Sequence, residues 1–300
     1  MEVSTLYSAI CRGKWLIDPR QVDGHALLLD SLLNHQVEID REKLSKREAM
    51  IHRSASEGGT YVTESFNEAP EGSTAIIPLH GTMMKYGTWC SYGTMEIANL
   101  MMEAVNSDKI DSIVLDIDSG GGAVNAVAPM LDAIAECKRK NKGCVATVDL
   151  CASAAYWVAA STDAIIPVNA VSSELGSIGV MMSFADYAKY YENEGIKVHT
   201  IYSNLSDYKN APYEAALKGE YDLIKNEELD PLARQFQDAV RKRRQCLNTE
   251  VKGVLNGRMF YAEEAVKIGL ADEIGSMARA IQKAKQVAAE SVIGKYISNL

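Results

Sequence analysis

Ser153 lies where an apolar strand is expected to give way to a helix. The run from Val145 to Val148 predicts a buried strand, and the small residues from Ser153 to Ala160 favour a helix. The first N–H groups of a helix lack intrahelical partners and favour negative charge. A serine hydroxyl at this turn could act as a nucleophile, with the N–H of Ala154 receiving the oxyanion. The same spacing is also that of an ordinary serine N-cap.

Three consecutive glycines, Gly120 to Gly122, follow Leu115 to Ser119, which predicts a second buried strand. Glycine has no Cβ, so its backbone N–H can approach a ligand closely. A P-loop is excluded because no Lys-Ser/Thr follows the glycines, and their spacing does not fit a dinucleotide-binding turn. The glycines therefore form either a plain turn or one wall of an oxyanion pocket. Turns that follow parallel strands meet at one edge of a sheet, so this turn and Ser153 are expected to lie together.

Six motifs follow one another along the chain. They are Asp118-Ser119-Gly120-Gly121-Gly122, Ala152-Ser153-Ala154-Ala155-Tyr156-Trp157, Gly176-Ser177-Ile178-Gly179-Val180, Tyr208-Lys209-Asn210-Ala211-Pro212-Tyr213, Gly257-Arg258-Met259-Phe260 and Gly269-Leu270-Ala271-Asp272. In this order they resemble the signal peptide peptidase A family of serine proteases. The resemblance covers roughly residues 73–285, and within the family the chain looks most similar to the phage capsid-assembly (prohead) proteases.

The resemblance implies a crotonase- and Clp-protease-like α/β fold that carries a Ser/Lys dyad. Ser153 would be the nucleophile and Lys209 the general base. The backbone N–H groups of Gly121 and Ala154 would form the oxyanion hole, and Ser177 would hold the lysine ammonium in place.

The chain departs from the family pattern at two places near these residues. Gly120 stands where the family usually has proline, and Ala154-Ala155 stands where it has Gly-Gly. Neither change removes an oxyanion donor, because alanine keeps its backbone N–H.

Lys209 must be neutral to accept a proton, whereas a free lysine has a pKa near 10.4. Burial in an apolar site favours the neutral amine. Tyr208 and Pro212 beside it could supply an apolar wall once substrate or a neighbouring subunit covers them. Placing Lys209 on the family lysine needs a small gap in the preceding loop. Lys197 is the nearest rival, in a predicted strand over Lys197–Tyr202 that turns it to solvent.

The histidines do not fit the Ser-His-Asp triad of the Clp proteases, which needs a histidine shortly after the nucleophile. No histidine lies between Ser153 and His199. None pairs with another at metal-ligand spacing, so neither a metal nor a cofactor is expected. Cys151 is expected to pack under the turn. The six cysteines form no C-x-x-C motif, which favours free thiols in a reducing compartment.

Composition agrees with a soluble enzyme, and the resemblance implies a polypeptide substrate. The formal charge of -9 over 300 residues argues against nucleic acid or an anionic membrane as the main partner. No signal peptide or membrane span is recognised, which favours a phage-type protease without an anchor in the host-cell cytoplasm or the prohead. The family further implies a homo-oligomer, with a dyad completed within or between subunits, and a capsid, scaffold or portal protein as substrate.

The chain is expected to divide at residue 72 into an N-terminal arm and a Ser/Lys protease domain. Within residues 73–300, strands alternate with helices, which predicts a parallel sheet with flanking helices and long C-terminal helices. The other predicted elements include helices Gln21–Leu33 and Glu38–Arg53, a linker Ser54–Thr74, helices Thr94–Asn106 and Ala262–Ile268, a strand Ser177–Met182, a long helix Glu214–Leu247 broken or kinked at Pro231 and a helix from Met277.

Other functions remain open from the residues. A protease of the bacterial signal-peptide-peptidase type would degrade residual peptides. A crotonase-type acyl-CoA enzyme would use the same pair of backbone donors with a carboxylate such as Glu174, and a non-catalytic assembly scaffold would need neither.

Overall fold

Apolar runs covered on both faces form the middle of the main sheet. β4 (Ser73–His80), β5 (Ile110–Ser119) and β7 (Gly143–Ala152) lie side by side and parallel. Strands buried on both faces are near-continuous apolar runs, as these are. The computed structural model describes residues 14–17, 50–87, 91–184 and 186–298, with the backbone alone for 14–17 and 295–298.

Shorter strands extend this sheet, and a small second sheet lies beside its carboxyl edge. The additional strands of the main sheet are β2 (His52–Ser56), β3 (Gly59–Thr63), β8 (Ala164–Pro167), β9 (Glu174–Gly176) and β11 (Met259–Tyr261). Its order is β11-β9-β7-β5-β4-β2-β3, with β8 also paired to β7. The second sheet has the order β10-β1-β6 and is antiparallel throughout; its strands are β1 (Lys14–Ile17), β6 (Gly121–Ala123) and β10 (Met181–Met182).

Helices cover both faces of the main sheet. The helices of the described residues are α1 (Thr94–Asn106), α2 (Val127–Arg139), α3 (Ala154–Ala160), α4 (Ala188–Asn193), α5 (Ala211–Leu217), α6 (Asp222–Ile224), α7 (Asp230–Arg243), α8 (Ala262–Ile268) and α9 (Met277–Ser298). α4 has no buried residue, so it is not one of the covering helices. Successive strand residues face opposite sides, so Val114 packs with Ala280 and Ala284 of α9, while its neighbours face the cluster that holds α1 to α3. Gly143 allows α9 to approach closely, because a Cβ there would lie 2.2 Å from the Ala284 carbonyl oxygen.

The predicted α/β architecture is confirmed. The strands alternate with helices, and the central strands are parallel. α1 and α8 have the predicted bounds, and α9 begins at Met277 as predicted. The bounds of α1 can be predicted from the sequence because its apolar residues recur at helical spacing, as Ile97, Leu100 and Ala104 do. Within the described ranges, each helix is too short or too polar to cross a bilayer.

Several predicted elements differ from the structure. Lys197–Tyr202 is not a strand; it is largely exposed and pairs with none of the described strands. Ser177–Met182 is a strand only at Met181–Met182, because Ser177 has a positive φ of 54° that breaks extended structure. The long helix predicted over Glu214–Leu247 is instead α5 to α7, interrupted after Leu217 and by a π-helical turn at Lys225–Leu229.

The predicted linker Ser54–Thr74 contains a hairpin that adds β2 and β3 to the main sheet. Its Gly58-Gly59 turn allows tight reversal, and β2 pairs with β4, so these residues form ordered structure at the sheet edge. The predicted helix Gln21–Leu33 and most of Glu38–Arg53 lie outside the described residues. The described end of the second prediction is wrong, because His52 and Arg53 belong to strand β2 and not to a helix. The division of the chain at residue 72 stays a prediction.

Candidate active site

Ser153 lies at a sharp turn between β7 and α3. Its φ of 55° and ψ of -115° are unusual for a residue with a Cβ. Such a conformation costs on the order of 1–3 kcal/mol and tends to persist at functional sites. The turn is fixed by two backbone bonds, from Ser153 N–H to the Gly176 carbonyl at 2.8 Å and from Trp157 N–H to the Ser153 carbonyl at 3.0 Å.

The Ser153 side chain does not cap α3. An N-cap serine normally has extended backbone and accepts a bond from the second or third helical N–H. Ser153 has neither feature, so the alternative of an ordinary cap is not what the structure shows. The hydroxyl lies on a residue that is 1% exposed, and Ala154 follows as the first residue of the helix.

Helix α3 is held rigidly under this turn. All of its residues, Ala154–Ala160, are buried. The Trp157 ring stacks on Phe236 of α7 with centroids 4.6 Å apart, and the Tyr156 hydroxyl donates to the Leu270 carbonyl at 2.9 Å. These contacts fix the helix that begins directly after Ser153.

Cys151, two residues before the serine, is fully buried in the core. Burial raises the pKa of this thiol, which disfavours the reactive thiolate. The prediction that Cys151 packs under the turn is confirmed by its burial.

The glycine turn comes to the same sheet edge as Ser153. Ser119 of β5 and Cys151 of β7 are partners in the parallel register. Gly121 and Ser153 each lie two residues beyond those partners, so the two turns leave neighbouring strands together. Gly121 has a φ of 98°, a value that glycine tolerates and a residue with a Cβ rarely adopts.

The Gly121 N–H is engaged by Ser119, a residue that sequence reasoning did not single out. The Ser119 hydroxyl accepts from Gly121 N–H at 3.2 Å and donates to the Gly81 carbonyl at 2.5 Å. The first of these bonds is at the long end of the normal range. An oxyanion would therefore have to replace the Ser119 oxygen at this donor. The sequence signal for this contact is the hydroxyl residue Ser119 directly before the glycine turn.

Met83 fixes one edge of the glycine strand β6. Its N–H donates to the Gly121 carbonyl at 2.8 Å, and its carbonyl accepts from Ala123 N–H at 2.9 Å. A Cβ at Gly122 would lie 2.0 Å from the Met83 carbonyl oxygen, so this close approach requires glycine.

Ser177 follows Gly176, whose carbonyl accepts from Ser153 N–H. It is half-buried, and its N–H donates to the Arg258 carbonyl at 3.0 Å. The structure thus brings the strand end that carries Ser177 to the turn that carries Ser153.

Among the described residues, no hydrogen bond links Lys209 to Ser153. It is exposed in the turn before α5, where Asn210 adopts a left-handed φ of 62°. Its neighbour Tyr208 donates from its hydroxyl to Glu227. Lys197 is also exposed, as predicted. Among the described residues, no cluster of histidine, cysteine and carboxylate side chains could hold a metal ion.

Comparisons with known proteins identify the family to which this site belongs. The model of peptidase family S49 matches residues 136–291. Protease 4 of Haemophilus influenzae is 25% identical over 64% of this chain and 31% of its own length. Capsid assembly protease C of Escherichia phage lambda is 26% identical over 69% of this chain and 47% of its own length. The chain thus matches less than half the length of either relative.

Among solved structures, the 1510-N membrane-bound stomatin-specific protease aligns over 72% of this chain and 85% of its own. Its TM-score is 0.43 and its sequence identity 13%.

Proposed function

The chain belongs to peptidase family S49, and we propose that it is a serine endopeptidase with Ser153 as nucleophile and Lys209 as general base. The observation that carries the proposal is the backbone of Ser153. This buried serine holds an unfavourable conformation at a strand-to-helix turn, and its hydroxyl is not used to cap the helix. Strain of this kind needs a compensating use, and a nucleophile at a sharp turn is one.

In the proposed reaction, neutral Lys209 takes the proton of Ser153 while the serine oxygen attacks a peptide carbonyl carbon. The tetrahedral oxyanion accepts from the N–H groups of Ala154 and Gly121, the latter exchanging its bond to Ser119. The lysine then protonates the leaving amine as the peptide C–N bond breaks. Water hydrolyses the resulting ester and restores Ser153. Ser177 holds the lysine in place.

The proposal also includes assembly into a homo-oligomer. Nineteen large apolar or aromatic side chains are exposed in the described part of the chain, and eleven of them lie within residues 187–221, the segment that carries Lys209. Exposed apolar surface concentrated in one segment marks an interface. A second copy of the chain packed on this segment would cover Lys209 and favour its neutral form. The exposure of Lys209 in a single copy supports a site that is incomplete without its neighbour.

The physiological role we propose is that of a phage or prophage prohead protease, which cleaves capsid, scaffold or portal proteins. It is supported by the similarity to capsid assembly protease C of phage lambda. The similarity to Protease 4 supports the alternative, a protease that degrades residual peptides. Incubation with assembled phage head proteins separates the two: a head protease releases discrete fragments, whereas a peptide-degrading enzyme cuts short peptides only.

The direct test of the nucleophile is Ser153→Ala in the full chain, with cleavage of a fluorogenic peptide library as readout. Loss of the nucleophile is expected to lower kcat/KM by at least about 10⁴-fold. Ser206→Ala, at a partly exposed serine in the loop before α5, serves as the matched control and is expected to cleave normally. Cleavage by Ser153→Ala at the rate of the parent would refute the assignment.

A further inference from the structure

The N-terminal strand β1 lies directly beside the glycine strand of the candidate active site. It is antiparallel to β6 on one side and to β10 on the other. Along β6 the register partners are Trp15 with Ala123, Leu16 with Gly122 and Ile17 with Gly121. The two strands are far apart in sequence, so ordering this pairing has a substantial entropic cost.

β1 occupies the edge of β6 that a peptide substrate would need. Met83 covers the other edge of β6 with two backbone hydrogen bonds. An extended peptide binds a sheet by adding a strand to an open edge. A peptide that adds a strand to β6 must therefore pair where β1 now lies.

The direction of β1 carries the chain towards Ser153. Because β1 is antiparallel to β6, it runs from Ala123 towards Gly121, which lies two residues after the end of β5. The end of β5 is paired in register with Cys151 near the end of β7, and Ser153 follows β7 directly. Ile17 is the residue of β1 opposite Gly121, the proposed oxyanion donor, so its peptide bond is the candidate for cleavage.

We propose that residues 14–17 occupy the substrate strand position of this chain's own active site and that the Ile17–Asp18 bond is a self-cleavage site. The cleavage rests on the proposed function, since Ser153 must be the nucleophile. Ser153 Oγ bonds to the Ile17 carbonyl carbon, the C–N bond to Asp18 breaks, and its amine leaves with the proton that Lys209 took from Ser153. Water then hydrolyses the ester, which leaves a carboxylate on Ile17 and restores the serine.

Occupancy by the chain's own strand makes the intact protein latent. A tethered segment competes at an effective concentration in the millimolar range, so it outcompetes a dilute external peptide. Cleavage after Ile17 removes the covalent tether, and the released fragment then dissociates at the concentration of the protein in solution. The intact and the cleaved protein therefore differ in whether the edge of β6 is open to a peptide substrate.

Occupancy is tested by amide hydrogen exchange of Gly122, the register partner of Leu16, because the N–H groups of Gly121 and Ala123 donate to Ser119 and Met83 instead. The full-length protein carries Ser153→Ala, which prevents any cut. Leu16→Pro removes a backbone N–H from β1 and disfavours its place between two strands. Leu16→Ala keeps that N–H and is the matched control. The expected result is exchange at Gly122 about 10-fold faster with Leu16→Pro than with Leu16→Ala. Equal exchange in the two variants overturns the occupancy.

Self-cleavage is tested by intact mass of the full chain with Ser153 present. A product that begins at Asp18 is expected, and it is absent from Ser153→Ala. If the protein cleaves an external peptide but makes no cut at this bond, the self-cleavage is wrong while the proposed function stands. If it cleaves neither, the nucleophile assignment fails as well, and the exchange measurement still decides whether β1 occupies the site.

Discussion

Ser153 has a backbone conformation that glycine adopts more easily than any residue with a Cβ. Its φ is 55° and its ψ -115°, and the Ala154 N–H follows at once as the start of a buried helix. The sheet edge imposes this geometry, because the serine N–H must reach the Gly176 carbonyl while its carbonyl starts the helix. The strain is local and is offset by the burial of α3.

This strain predicts an order of stability for two inactive variants. Ser153→Gly removes the Cβ that resists a positive φ, whereas Ser153→Ala retains it. Ser153→Gly is therefore expected to have the larger free energy of unfolding, by about 1 kcal/mol, in chemical denaturation. A more stable Ser153→Ala protein would contradict a strained positive φ at this residue.

His80 gives a pH dependence at the same sheet edge. Its Nε2 lies 3.4 Å from an Asp116 carboxylate oxygen. The hydrogen bond to Asp116 raises the pKa of His80, with burial acting in the opposite direction. The ion pair therefore stabilises the fold fully below the unfolded pKa near 6.5, and this contribution is lost as the pH rises through the higher folded pKa.

The measurement is the free energy of unfolding of the parent and of Asp116→Asn between pH 5.5 and 8.5. The free energy of unfolding of the parent is expected to exceed that of Asp116→Asn most at pH 5.5, and this difference is expected to shrink towards pH 8.5. Because His80 is half exposed, the effect is small, and NMR titration of its ring gives the raised pKa directly. A difference in free energy of unfolding that grows with pH would contradict the ion pair of His80 with Asp116.

Among the elements, helix α9 depends on one small residue in the sheet. A Cβ at Gly143 would lie 2.2 Å from the Ala284 carbonyl oxygen and 2.8 Å from the Ala288 backbone nitrogen. Gly143→Ala is thus expected to lower the free energy of unfolding by about 1–3 kcal/mol, since both neighbours are backbone atoms that cannot rotate away.

The control for this change is Gly179→Ala. A Cβ there would meet its nearest neighbour, Gly257 Cα, at 3.7 Å, which is an ordinary contact. Chemical denaturation of the two variants is expected to show a lower free energy of unfolding for Gly143→Ala alone. Equal stability of both would mean that α9 packs less closely against β7 than these distances require.

Elements with strong local signals were predictable from the sequence, and those that depend on a partner strand were not. The apolar period of α1 gave its bounds, Thr94–Asn106, without error. Lys197–Tyr202 alternates like a strand, yet it pairs with no strand among the described residues. The hairpin of β2 and β3 was not predicted, because its polar residues resemble those of a linker. It is held in place by the pairing of β2 with β4 of the main sheet.

The candidate site was predictable in part for the same reason. Ser153 and Gly121 lie at strand ends, and parallel strands bring their ends together. The role of Ser119 could not be foreseen, because it depends on the Gly81 carbonyl from another strand. If a second copy completes the site as proposed, the position of Lys209 relative to Ser153 depends on contacts between copies, which local sequence does not encode.

At the scale of the whole molecule, segment 187–221 holds most of the large apolar side chains that are exposed among the described residues. Leu205 is 94% exposed and Ile201 90% exposed in this segment. Introducing a charge there, as Leu205→Glu, is expected to dissociate the proposed oligomer and to reduce peptide cleavage with it, because a desolvated charge at an interface is costly.

Sedimentation velocity is the measurement for this change. Val171→Glu is the matched control, since Val171 is 88% exposed but lies outside the segment. The expected outcome is a smaller species and weak cleavage for Leu205→Glu, with the control unchanged. A fully active monomer of the parent protein would rule out the proposed dependence on assembly.

Whether a lysine amine takes the proton of Ser153 is tested most directly by kcat/KM of peptide cleavage in Lys209→Ala. Lys197→Ala is the matched control, because Lys197 is also an exposed lysine on the same segment. Loss of a general base costs about 10²–10⁴-fold, so Lys209→Ala is expected to lose at least about 10²-fold while Lys197→Ala cleaves like the parent. Full cleavage by Lys209→Ala would contradict the Ser/Lys dyad.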